Sequence, residues 1–400
     1  MAARIEDYAL IGDCESAALV ARDGSIDWLC LPRFDSPACF AALLGTPEHG
    51  RWQIAPQAST IRNVRRRYRP GTLVLETEFE TETGAVRLLD CMPQRAETPT
   101  VVRVVEGLRG RVAMSADLVL RPDYGSLVPW VRRTPDVCAR SAARAPSISA
   151  HPSRCAARTS TRWPTSRSRP GSGCPSRSPG IRRAARSPGR SRPRRIEATA
   201  RWWSAWSERC TYDGEWREAV VRSLITLKAL TYAPSGGLVA SATTSLPERL
   251  GGVRNWDYRY CWLRDATFAL YALMTGGYVD EARAWRGWLL RAIAGKPEQA
   301  QILYGVAGER LLPEWSLAWL PGYEASAPVR VGNAATTQFQ LDVFGEIADA
   351  LHVARRVGLD ADQDAWRVER VSSSSSRRGK SPTRASGRCA GRAVHSPIRR

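Results

Sequence analysis

Lysine is nearly absent from this 400-residue chain: three Lys stand against 56 Arg, and only three Asn occur. Histidine is scarce too. Of four His, only His49 and His352 lie in patterned sequence, which leaves little material for a catalytic histidine or a His-based metal site. None of the ten cysteines forms a Cys-x-x-Cys pair, so a zinc ribbon or thioredoxin-type centre is unsupported, and no metal or other cofactor is expected. No apolar run approaches the ~18 residues of a membrane-spanning helix. The first residues carry Arg4, Glu6 and Asp7 rather than an apolar stretch, which predicts no secretory leader, reduced thiols and a cytoplasmic location. No internal repeat of 20–50 residues is visible.

Acidic residues are missing from two stretches, and that absence explains the net charge of +20. Residues 136–195 hold 15 Arg, no Lys and a single acid, Asp136; residues 370–400 hold eight Arg, Lys380 and no acid. Together these blocks carry +23, so the other 309 residues sum to −3. The basicity would suggest nucleic acid if it were spread over a folded face. Instead it sits where Arg, Ser, Ala and Pro supply 44 of the 60 residues of the first block, with no hydrophobic period. A solvated disordered insert is one reading of such composition, and a basic nucleic-acid-binding arm another. The preferred reading is translation out of frame, since a GC-rich gene read in a wrong frame yields this aperiodic mixture.

What remains is patterned. Residues 1–133 alternate with period two: Ala18 and Val20, then Ile26 and Trp28, bracket the hairpin dipeptide Asp23-Gly24. Leu73, Leu75, Thr77 and Phe79 alternate with Glu76, Glu78 and Glu80 before Thr83-Gly84 turns into Val86 and Leu88. Such short strands predict an antiparallel β-sandwich. From about Arg201 the period becomes helical. Trp216, Val220, Leu224 and Leu227 share one face, with Asp213 as a candidate cap. Phe268, Tyr271, Leu273 and Met274 predict a second helix stopped by Gly276-Gly277. Ala282, Trp285, Leu289 and Ile293 predict a third, and Thr337, Leu341, Phe344, Ala348 and Leu351 a fourth.

The chemistry concentrates in Arg254-Asn-Trp-Asp-Tyr-Arg-Tyr-Cys-Trp-Leu-Arg-Asp265, just before the second helix. Aromatic faces stack on the C–H faces of sugars, and adjacent Arg and Asp side chains fork onto vicinal hydroxyls. Ten of the fifteen Trp lie between 202 and 319, which suits a carbohydrate cleft. The bland reading is equally open on pattern alone: Trp256 and Trp262 as core, Arg264–Asp265 as an ion pair with helix-start charge.

The run Asn255–Asp265, with Gln301-Ile-Leu-Tyr-Gly, Leu317-Ala-Trp-Leu-Pro-Gly-Tyr323 and Pro328-Val-Arg-Val-Gly-Asn-Ala-Ala335, resembles bacterial glycoside hydrolase family 15, a family of glucoamylase-like enzymes and trehalases. Ile5–Asp13, Asp23–Trp28 and Asp90-Cys-Met-Pro93 resemble that family's N-terminal domain. The likeness covers roughly residues 4–133 and 200–369 and fails across both basic blocks. It implies a multidomain β + α protein: an N-terminal antiparallel β-sandwich (1–133), an aberrant or disordered Arg/Ser/Pro segment (134–198), an incomplete (α/α)6 barrel (199–369) and a basic aberrant tail (370–400).

The resemblance further implies inverting hydrolysis of an α-glucosidic bond in trehalose or an α-glucan, by a general acid and a carboxylate base about 6.5–9.5 Å apart. By position, Tyr258, Trp262, Arg264 and Asp265 look like the glucose contacts, and Arg330, Gly332 and Asn333 like the next pocket-lining loop. No catalytic acid or base is carried over. The family's catalytic positions fall beyond the Gly332-Asn333 loop and its helix, where the pattern breaks near Glu369–Val371. Glu309, Glu314, Glu324, Asp342 and Glu346 match neither position. The expectation is therefore a family-15-type glycosidase without turnover in the chain as written, taking an α-glucoside partner, with no membrane and no specific nucleic acid. Its alternatives are a catalytically dead sugar-binding protein and a basic nucleic-acid binder.

Overall fold

The computed structural model describes residues 2–57, 61–133, 191–294, 299–340, 342–356 and 358, with the backbone of short strands at 138–142, 145–150, 161–162 and 173–179. The N-terminal part is antiparallel sheet. In chain order its strands are β1 (Tyr8–Gly12), β2 (Ala17–Ala21), β3 (Ser25–Cys30), β4 (Ala38–Phe40), β5 (Arg51–Pro56), β6 (Ile61–Tyr68), β7 (Leu75–Thr81), β8 (Gly84–Cys91), β9 (Thr100–Gly110) and β10 (Met114–Val119). They are followed by β11 (Trp130–Arg133), β12 (Cys138–Ala142), β13 (Ala145–Ala150), β14 (Thr161–Arg162) and β15 (Gly173–Pro179).

One sheet runs β1-β2-β3-β5-β10-β14 with β4 on β3; a second runs β15-β9-β8-β7-β6; β11, β12 and β13 form a third. The first two share a core, in which Ile11, Val20, Ile26, Trp52 and Ile54 meet Leu75, Phe79, Val86 and Leu88. The Asp23-Gly24 hairpin forms as its dipeptide predicts. Gly24 has φ +81°, and a Cβ there would lie 2.3 Å from the Ile54 carbonyl oxygen, so only glycine fits. Between the sheets, the buried Arg103 pairs with Asp90 at 2.7 Å and donates to the Gly24 carbonyl.

The composition of residues 134–198 argues against regular structure, yet β12 to β15 lie inside that block. β15 pairs with β9 from Gly173↔Glu106 to Pro179↔Thr100. It is an edge strand, and an edge tolerates Pro175 and Pro179 because one side of the strand needs no donors. Residues 191–198 of that block are helical; its remaining residues and all of 370–400 lie outside the described residues.

The C-terminal part is helical: α1 (Ser191–Ser207), α2 (Arg217–Ala229), α3 (Leu263–Thr275), α4 (Val279–Ala292) and α5 (Asp342–Arg356). Helix α1 begins inside the basic block and buries Ile196, Thr199, Trp203 and Trp206, spaced three, four and three residues apart. At α2 the capping position is Trp216, with no side-chain cap, so Asp213 does not serve there. Gly276 and Gly277 close α3 as expected. Its buried face differs from expectation. Ala266, Thr267, Leu270 and Leu273 turn inward, while Phe268 and Tyr271 are 67% and 56% exposed. Small residues at 266 and 269 suit a face packed closely against a neighbouring helix, here α5.

Helix α5 starts five residues later than Thr337. Residues 334–337 form a separate 3-10 turn capped by Asn333, whose side chain accepts from the Ala335 amide. The apolar face of α5 is covered. Val343, Ile347 and Leu351 join the core with Leu270 and Leu273, and Phe344 is buried beside Phe339. Leu341 lies outside the described residues. No described helix is long and apolar enough to cross a membrane.

The β and helical parts are not separate cores. Trp28, Cys30, Leu43 and Tyr124 cluster with Leu317, Leu320, Tyr323, Val329 and Val331. The Trp28 indole donates to the Ala242 carbonyl at 2.8 Å, and Arg33 pairs with Glu309 at 2.7 Å.

Candidate functional site

Residues 255–262 run extended into the start of α3, bridged at Asp257 to Thr244 and ending in a two-residue strand, β16 (Cys261–Trp262), paired with Leu303–Tyr304. In an extended chain alternate residues face opposite sides. Asn255, Asp257 and Arg259 are wholly buried, while Trp256 and Tyr258 are half-buried on the other side. The aromatic edge of this segment is accessible, and its polar edge is the buried spine.

Its charged pair is fully bonded, while Asn255 Oδ1 is buried without a partner among the described residues. Asp257 and Arg259 form a bidentate pair, Nε to Oδ1 at 2.9 Å and Nη2 to Oδ2 at 2.6 Å. Arg259 also donates to the Ser36 carbonyl at 2.9 Å, the Phe34 carbonyl at 3.4 Å and the Tyr124 hydroxyl at 2.8 Å. Burial works against a charged guanidinium, but the neighbouring Asp257 charge outweighs it and holds Arg259 well above its ordinary pKa. Asn255 donates to the Ser326 and Pro328 carbonyls at 2.9 and 3.2 Å, tying the segment to the loop ahead of Arg330.

On the accessible side, the Tyr258 and Trp262 rings lie 5.9 Å apart, tilted by 52°. Burial, and then the carboxylates of Glu248 and Asp265, raise the Tyr258 pKa and keep its hydroxyl a donor. The Trp262 indole N–H is buried without a partner among the described residues. Asp265 is exposed in the first turn of α3, where the helix dipole favours a carboxylate. Arg264 reaches across to α5, pairing with Asp342 at 2.7 Å and approaching Gln340 at 3.3 Å. Glu346, one turn into α5, has its pKa raised by burial and by Asp342 and Asp349.

Arg330 lies on the accessible side as well. Its guanidinium sits 4.4 Å over the Trp256 ring, 3.4 Å from Glu314, and donates to the Val253 carbonyl. Asn333 does not line an open pocket. It is buried, donating to the Asp257 carbonyl at 3.0 Å and accepting from Ala335. Gly332 is buried too, and its N–H donates to Asp257 Oδ2 at 3.2 Å. The structure thus brings Tyr258, Trp262, Arg264 and Asp265 together at the head of α3, and places Gly332 and Asn333 beneath as support. Sequence gives Trp256 only as a core candidate, Glu314 only as an acid that matches neither catalytic position, and Asp257 and Arg259 no role of their own. Period-two alternation through 255–259 is the signal that separates Trp256 from Asp257 and Arg259.

This set of groups offers flat apolar faces beside charged donors and acceptors, which suits a neutral polyhydroxylated ligand. Among the described residues, no group of three or more His, Cys, Asp or Glu could hold a metal ion. A groove of about 1080 Å³ opens elsewhere, between the β6–β7 turn and the start of α2, and none of its lining residues belongs to the 255–265 segment.

Residues 214–374 match the family described as Glycosyl hydrolases family 15, and residues 1–152 match "Trehalase-like, N-terminal". The trehalase of Mycobacterium tuberculosis is 31% identical over 395 residues, spanning 91% of this chain and 58% of that protein. The trehalase of Mycolicibacterium smegmatis is 32% identical over 415 residues, with 91% and 59% covered. A bacterial glucoamylase solved in complex with acarbose shares the fold at a TM-score of 0.52 and 10% identity, covering 94% of this chain and 66% of that one. The chain spans about three fifths of the length of the curated relatives it matches.

Proposed function

On the premise that the chain carries a Glycosyl hydrolases family 15 domain behind a trehalase-like N-terminal domain, we propose that it serves in carbohydrate hydrolysis and that the head of α3 receives the terminal glucosyl unit of an α-glucoside. Trehalose is the first ligand to test, given the trehalases among its relatives. The α2–α5 helices would then belong to an (α/α)6 barrel. The observation that carries this reading is the juxtaposition of the Tyr258 and Trp262 rings with Arg264 and the exposed Asp265 at a helix start.

In the reaction such a pocket serves, a protonated carboxyl donates to the leaving glycosidic oxygen and a second carboxylate activates water. Tyr258 and Trp262 would present the hydrophobic floor, and Arg264 and Asp265 would fix the hydroxyls. Glu309, Glu314 and Asp342 are each engaged by an arginine, namely Arg33, Arg330 and Arg264, which supports holding roles for them. The acid and base are assigned to none of these three.

Titrating the 400-residue chain with trehalose and following tryptophan fluorescence tests the pocket. Saturable quenching is expected. Asp265→Ala should weaken binding by about 2 kcal/mol, roughly thirtyfold, as the loss of charged hydrogen bonds typically does. Equal affinity in that variant would reassign Asp265 to helix-start stabilisation. A parallel assay of glucose release separates hydrolysis from sugar binding alone.

A further inference from the structure

The glucose contacts and the N-terminal β region are joined through one buried carboxylate. Asp257 Oδ1 accepts from both the Arg259 side chain at 2.9 Å and the Arg259 amide at 3.1 Å, and Oδ2 accepts from Arg259 Nη2 at 2.6 Å and the Gly332 amide at 3.2 Å. The guanidinium has five N–H donors. Two go to Asp257, one to the Tyr124 hydroxyl, and the two on Nη1 face the Ser36 and Phe34 carbonyls and Cys30 Sγ, all three in the N-terminal part of the chain. Tyr124 belongs to that part as well. Gly332, at the other end of the relay, cannot shift freely. Its φ is +81°, and a Cβ would lie 1.7 Å from the Pro313 carbonyl oxygen.

We propose that Arg259 and Tyr124 are positioning residues for the sugar pocket: the N-terminal β region, acting through Arg259 and Asp257, sets the Arg330–Asn333 loop and the Trp256–Tyr258 edge above it. This rests on the reading of that edge as the glucoside site. The two sides of Asp257 cannot move independently, because Oδ2 is shared by the guanidinium and the Gly332 amide. Loosening the guanidinium at Tyr124 therefore loosens the loop. The Tyr124 ring also packs in the cluster that holds Val329 and Val331, so a variant that keeps the ring and loses the hydroxyl isolates the path through Arg259.

Two variants of the full chain test this, Tyr124→Phe and Arg259→Lys. The first removes one acceptor and keeps the ring; the second keeps the charge and loses the fork. Amide hydrogen exchange, read without ligand, should speed up at least tenfold at Gly332 in both, with the sheet amides of β7 and β8 unchanged. Trehalose affinity should fall severalfold in Tyr124→Phe while the melting temperature stays near that of the parent chain. Unchanged exchange at Gly332 in Tyr124→Phe overturns the proposal, whatever becomes of Arg259→Lys. Faster exchange at Gly332 with unchanged trehalose affinity also overturns it, since the relay would then be structural only. If the parent chain binds no trehalose, the glucoside reading fails, and the exchange result still decides the coupling.

Discussion

A carboxylate and a guanidinium removed from water together hold their place only when every polar atom finds a partner. Among the described residues, Asp90–Arg103 between the sheets and Asp257–Arg259 under the candidate pocket do so, all four side chains being inaccessible. Removing one partner strands the other charge, so Asp257→Ala should lower stability by about 3–5 kcal/mol in urea unfolding. Gly332→Ala is expected to cost more than about 1 kcal/mol, because left-handed backbone and contact with Pro313 both oppose a side chain there. A Gly332→Ala midpoint equal to the parent's would mean that the loop can reroute. Residue types in 254–265 already pointed to sugar chemistry, through aromatics beside Arg and Asp. They did not say which edge faced inward. Asp257 and Arg259 look like ligand contacts by type, and only the alternation Asn255, Asp257, Arg259 against Trp256, Tyr258 marks them as the buried edge.

Among the elements, the strands and their turns were the most legible, because Asp23-Gly24 sets a left-handed turn residue and Gly84 admits a close approach of the Arg109 carbonyl. Helix α1 was hidden. Its buried stripe Ile196, Thr199, Trp203, Trp206 has helical spacing, but it follows a run of Arg and Pro that masks the start, and Pro193 is tolerated in a first turn. Helix α3 was found but rotated in expectation. The apolar pattern that predicts it counts Phe268 and Tyr271, whereas the packed face is the one bearing Ala266, Ala269, Leu270 and Leu273. The contrast is measurable. In the 400-residue chain Leu270→Ala should cost about 2–5 kcal/mol, and Phe268→Ala should stay within about 0.5 kcal/mol. Equal losses at the two positions would place Phe268 in a core.

At the scale of the whole molecule, sequence periodicity divides the chain into a β part and a helical part, and it carries no information on how they pack. The contacts make them one unit. Trp28 of β3 is buried in a cluster with Leu317, Leu320 and Val331, and its indole bonds the Ala242 carbonyl. Cys14, Phe34 and Leu73 sit in the same core as Trp203, Leu224 and Leu270. Arg222 of α2 lies 4.2 Å over the Tyr68 ring and donates to the Thr72 carbonyl at 2.8 Å. A part that loses its neighbour would expose these apolar side chains at roughly 25 cal/mol per Å², so neither should persist once the other has melted. Calorimetry of the full chain should accordingly show one transition, with calorimetric and van't Hoff enthalpies agreeing. Trp28→Phe, which removes the indole bond to Ala242 and leaves a small cavity in this cluster, should move that whole transition to lower temperature rather than split it. Two resolved transitions in the parent chain, or a helical fragment that stays folded after the first 133 residues are clipped away, would show that the β part only rests against the helices.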